Sequence, residues 1–188
     1  YITGTLNDMN GSPTEYGIDT VFDESQFFYG LELGTFWRRG PRDFDHLHLN
    51  LFYADEKDSQ SAILPNESGG GFKLAGSKQL DEIVGFGSYT HNTAEGGGLG
   101  VTFAEHTVNA GAAKVNPLGY RGELGFGLSW LDPVNDAIGT EWGGELYWKV
   151  LLAADVWITP GVQYISNPAL SPSEDSIFIA QLKMRFFL

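Results

Sequence analysis

Residues Tyr120 to Trp130 read YRGELGFGLSW. With a period of two, Tyr120, Gly122, Leu124, Phe126, Leu128 and Trp130 share one face, and Arg121, Glu123, Gly125, Gly127 and Ser129 share the other. One face is apolar and ends in an amphipathic ring at each side; the other is polar. An extended chain of this length covers about 33 Å at ~3.3 Å per residue. Tilted by roughly 45°, it rises about 23 Å, close to the ~25 Å apolar band of a transmembrane β-barrel with its two aromatic girdles.

The same reading extends along the chain. Of 188 residues, 25 are glycine and 14% are aromatic, and no run approaches the ~20 apolar residues of a membrane helix. If the chain lies in a membrane, it does so as strands. The absence of cysteine excludes disulfide staples and thiolate metal sites. A net charge of -13 leaves nothing to neutralise a row of phosphates, which excludes nucleic acid as a partner. No charged, apolar leader opens the chain, so an exported protein of this kind has either lost one or is part of something longer.

Alternation predicts strands at Tyr1–Asp8, Gln26–Trp37, His46–Tyr53, Gly71–Gln79, Ile83–Thr90, Val101–Val115, Tyr120–Trp130, Glu141–Leu152, Val156–Ile165 and Ser176–Leu188. The facing of Val101–Val115 is the least defined. Pro160 inside a strand predicts a bulge or a lost ladder bond. The clusters Gly69–Gly71 and Gly96–Gly98 precede strands rather than helices and read as loop glycines, not phosphate cradles. Long and short connections alternate, as they do between the two rims of a membrane barrel. The expected fold is therefore an all-β transmembrane antiparallel barrel, with about ten strands in this chain, occupying residues 1–188 as one domain.

With the apolar faces toward lipid, the opposite faces line a lumen. They carry Glu32, His46, His48, Asn50, Lys73, Arg121, Glu123, Glu145, Tyr147, Lys149, Gln163, Gln181, Lys183 and Arg185. Mixed charges and amides offer many donors and acceptors to a neutral, hydroxyl-rich solute, although most such residues could equally pair with one another and stiffen the wall. Trp37, Tyr53, Tyr120, Trp130, Trp142, Trp148 and Tyr164 are the expected girdle aromatics. His46 and His48 share a face, but no companion spacing supports a metal site, and no motif places a serine nucleophile beside them and Glu32. No catalytic residue, metal or cofactor is expected. The acids at Asp8, Asp19, Asp23, Glu24, Asp55, Glu56, Asp58, Glu67, Asp132, Asp136, Glu174 and Asp175 read as solvated connections.

Three segments resemble a known family. GYRGELGFGLSW (Gly119–Trp130), GGELYWKV (Gly143–Val150) and ITPGVQYISNPALSPSEDSIF (Ile158–Phe178) look like the closing strands of the carbohydrate-selective, OprB-type porins. NDMNGSPTEYGIDTVFDESQFFYGLELG (Asn7–Gly34) is similar to a mid-chain segment of the same family, and residues 71–114 resemble it more loosely. The resemblance implies an integral protein of the Gram-negative outer membrane, with about sixteen strands in the whole barrel and passive diffusion of sugars and other small hydrophilic solutes. It makes this chain the C-terminal part of such a porin. The implied partners are outer-membrane lipid and lipopolysaccharide, small sugars, the N-terminal part of the same porin, and further copies in a homo-oligomer. Two other readings stay open: a self-contained small barrel with an enzymatic or adhesive outer rim, and a soluble sugar-binding β-sandwich. The aromatic ends of the apolar faces speak against the second.

Overall fold

A computed structural model of the chain describes residues 1–9, 26–37, 45–56, 68–93, 104–135, 137–153 and 156–186. They form ten strands: β1 (Ile2–Asp8), β2 (Phe27–Phe36), β3 (His46–Ala54), β4 (Gly69–Leu80), β5 (Ile83–Asn92), β6 (Ala104–Val115), β7 (Gly122–Pro133), β8 (Glu141–Ala153), β9 (Val156–Ser166) and β10 (Ser176–Phe186). All belong to one sheet in the order β1 to β10, each strand antiparallel to the next in sequence. Among the described residues no helix is long and apolar enough to cross a membrane, a statement that does not bear on strands.

Period-two alternation gives the sheet two unlike faces. On one, the register runs Leu33 to Leu49 to Leu74 to Tyr89 to Val108 to Trp130 to Trp142, strand after strand. On the other it runs Glu32 to Asn50 to Lys73 to Thr90. Among the described residues nothing covers either face. The buried apolar side chains among the described residues are Ala54, Val84, Ala104, Ala113 and Ala169, too few and too small to make a globular core, whereas Phe126, Leu128, Phe178 and Leu182 stand 49%, 58%, 67% and 67% exposed. An apolar face this wide needs an apolar solvent or a partner.

The strand ends that flank residues 9–26, 55–68, 93–103, 134–140 and 167–175 lie at one end of the sheet, and those that flank 37–45, 81–82, 116–121 and 154–155 at the other. The first set is the longer one, as the alternation expected, although 37–45 is as long as 167–175. At the short end, Asp45 is buried and ties the entry of β3 to β4: its carboxylate accepts from Lys78 Nζ at 2.7 Å and from the Gln79 N–H at 2.7 Å.

Several expectations shift. Among the described residues the sheet is open: β1 pairs only with β2 and β10 only with β9, so the closure expected of a barrel is not made by them. The strand expected at Tyr120 begins at Gly122, because Pro117–Gly119 form a short 3-10 turn and Gly122 takes a φ of 147°, with the Lys149 carbonyl where a Cβ would stand. Tyr120 and Arg121 therefore sit in the turn. Gly69–Gly71, read as a loop, open β4. A Cβ on Gly71 would fall 2.7 Å from the Phe52 ring, so the glycines mark a close approach inside the sheet. At Pro160, of the two expectations, it is the lost pairing that is seen and not the bulge: the β8–β9 pairing lapses opposite Trp148 and Lys149 and resumes in the same register, while β9–β10 pairing continues through it. The bulges lie elsewhere, between Ala104 and His106 and between Leu151 and Ala153. Gly96–Gly98, Asp19, Asp23, Glu24, Asp58, Glu67, Asp136 and Leu188 lie outside the described residues.

Candidate functional site

The polar face is built by register. Glu32, Asn50 and Lys73 stand in one row across β2 to β4, and Asn50 Nδ2 donates to Glu32 Oε2 at 2.8 Å. His48 lies in the next row. His46 lies one row further, 5.3 Å from the His48 ring and stacked on it at 4°, with its Nδ1 2.8 Å from Ser77 Oγ. The two histidines thus have a ring partner and a hydroxyl, and among the described residues no carboxylate completes a ligand set with them.

Across β7 to β10 the same face carries the larger polar groups. Glu123 is directly opposite Lys149, and Tyr147, lying across Gly125, donates to Glu123 Oε1 at 3.2 Å. Lys149 Nζ sits 5.0 Å from the Trp157 ring centroid. Gln181 Nε2 donates to Glu145 Oε1 at 2.7 Å, a bond that reaches from β10 to β8 over the intervening strand. It does so where β9 presents Gly161: a Cβ there would come within 3.0 Å of Gln181 Nε2. Gln163 is paired in register with Glu145, Lys183 with Thr159 and Arg185 with Trp157. All these residues share one face, as expected, whereas Arg121 belongs to the turn before β7.

Between β5 and β9 this face dips into a concavity of about 350 Å³, lined among others by Phe86, Asn109, Ser129, Glu145, Tyr147 and Gln163. Carboxylate, amide and hydroxyl groups interleaved with aromatic rings are the lining that suits a polar organic solute. Phe86, Asn109 and Ser129 are absent from the expected set. Phe86 interrupts a polar alternation, and Asn109 lies on β6, whose facing the alternation left open.

The expected girdle residues are on the apolar face or beside it. Trp130 and Trp142 pair at 6.4 Å near the long-connection end, with Tyr53 against Tyr29 at 6.3 Å and Tyr164 opposite Phe178. At the short end Tyr120 meets Trp148 edge-on at 6.1 Å. The Trp148 indole N–H is buried without a partner, unlike an interfacial tryptophan that offers this group to water, while Trp37 is 59% exposed.

A second cluster, on the apolar face just beyond Trp130, was not foreseen. His91 on β5 is directly opposite His106 on β6, their rings stacked at 4.7 Å, and Glu105 and Tyr89 are beside them.

The described residues thus define an all-β fold, one open antiparallel meander of ten strands with two unlike faces. The chain is similar to the solved structure titled "High pH structure of Pseudomonas putida OprB", with a TM-score of 0.67 and 14% sequence identity over 86% of this chain. It spans 48% of that protein, about half its length. No protein-family model matches the chain, and no curated protein matches it.

Proposed function

We propose that this chain is the C-terminal part of an outer-membrane porin, and that sugars and other small hydrophilic solutes pass down their gradients along its polar face without chemical change. The observation that carries the reading is the open sheet with two unlike faces. In lipid an unpaired strand edge leaves N–H and C=O groups that cost several kcal/mol each. The edges of β1 and β10 must therefore meet each other or further strands. Coverage of about half of the similar structure favours further strands, supplied by an N-terminal part of a barrel of about sixteen. The apolar face then meets lipid, and Glu32, Asn50, Lys73, Glu123, Glu145, Tyr147, Lys149, Gln163, Gln181, Lys183 and Arg185 line the pathway. No residue acts as a catalyst; the wall exchanges part of the solute's hydration for amide, carboxylate and hydroxyl contacts.

Planar-bilayer conductance of the whole barrel, this chain joined to its N-terminal part, titrated with glucose and maltose, tests this. Steps that fall saturably with sugar are the expected result. Steps indifferent to sugar would remove the sugar pathway and leave a general pore. Silence, with the protein folded in the bilayer, would overturn the channel.

A further inference from the structure

The structure assigns a divalent transition-metal site of the zinc class to His91, His106 and Glu105, on the apolar face at the long-connection end. This does not depend on the porin reading. A regular strand sends neighbouring residues to opposite faces, so Glu105 and His106 ought to point apart. The β6–β7 register slips between Ala104 and His106, and the bulge turns the Glu105 carboxylate toward the histidine side, with its Oε1 3.6 Å from His106 Nε2. Register does the rest. His91 is the cross-strand partner of His106, and their rings stack with centroids 4.7 Å apart.

One ligand atom from each of the three residues falls within 4.8 Å of the others. A tetrahedral ion bonded at about 2.0–2.2 Å needs its ligands roughly 3.4 Å apart, so small side-chain movements close the set. Two imidazoles and one carboxylate suit zinc, nickel or cobalt better than calcium or magnesium, which prefer oxygen alone. His106 also has its Nδ1 2.9 Å from the Tyr89 hydroxyl; with the cation on Nε2, that hydroxyl accepts the Nδ1–H and fixes the ring's tautomer. Asp132, opposite His106 on β7, adds negative charge nearby. All three ligands are half-buried, and three protein ligands leave one position open at the rim.

The test uses the whole chain, purified without a polyhistidine tag, folded in detergent and stripped with chelator. Titration calorimetry with Zn²⁺ should show one saturable equivalent, and Co²⁺ should give the visible absorption of a four-coordinate ion. His91→Ala and His106→Ala should each weaken binding at least a hundredfold, and Tyr89→Phe about tenfold. The double variant His46→Ala/His48→Ala should bind as the parent does. If the alanine variants lose strand circular dichroism, the isosteric Glu105→Gln carries the test, with at least a tenfold loss expected. Absence of saturable binding, or binding retained without His91 and His106, would overturn the site, as would its loss on removal of His46 and His48.

Discussion

Asp45 shows how one side chain does what neither its charge nor its place in a turn announces. In the sequence it closes the charged stretch RRGPRDFD; in the fold it is 1% exposed. Lys78 is its visible partner, yet the lysine side chain is 60% exposed and such half-solvated pairs contribute at most about 1 kcal/mol. The Gln79 N–H, donating to Oδ1, is the more consequential contact, because losing Asp45 leaves that donor unmet. Asp45→Ala should therefore destabilise the sheet by about 1–3 kcal/mol, and Lys78→Ala by less than about 1 kcal/mol. Urea midpoints of the folded chain decide it; equal losses would show that the ion pair dominates. Tyr147 is the parallel case on the polar face. Tyr147→Phe keeps the ring over Gly125, loses only the bond to Glu123, and should cost about 1 kcal/mol by the same assay.

At the scale of the strand, alternation was enough to find all ten elements, because each has one apolar and one polar face and the period survives individual exceptions. What alternation could not reach is where the period breaks. β6 carries a register slip between Ala104 and His106, which sets Ala104 out of phase with the residues after Glu105. The same slip hid the metal cluster, since His91 and His106 meet only once the register is known. Gly122 moved the start of β7 through its backbone angle, a property no hydropathy pattern carries. Of the candidate wall, alternation grouped the strand residues on one face but set Arg121 there too, which lies in the turn before β7, and the partners were not legible: Glu145 to Gln181 crosses a strand and rests on the small size of Gly161. Gly161→Val should push Gln181 off Glu145 while keeping strand content. Amide-nitrogen NMR of the Gln181 side chain should then lose the downfield shift of a donor to carboxylate; an unmoved resonance would show that the bond finds another path over β9.

At the scale of the molecule, the two faces make separable claims. For the apolar one, Trp130 and Trp142 near the long-connection end should be quenched by lipids brominated close to the headgroup more than by lipids brominated at the bilayer centre, and the ordering would reverse if the sheet lay deeper. For the polar one, Lys149 and Lys183 both stand on the proposed wall, across β9 from one another. Lys149→Gln with Lys183→Gln should shift the reversal potential in a salt gradient toward cation preference, because Glu123 and Glu145 remain. An unchanged potential would take these lysines off the ion's path while leaving the sheet as described.

The strict order of the strands, each beside its predecessor, also governs how such a wall is made and remade. No strand waits for a distant one, so every contact in the sheet is as local as an antiparallel chain allows, and growth is by addition of the next hairpin to a free margin. A hairpin gained or lost anywhere keeps the parity of the faces and the side on which the chain exits. Circumference is thus a quantity that duplication or deletion can alter in steps of two strands, without redesign of what remains.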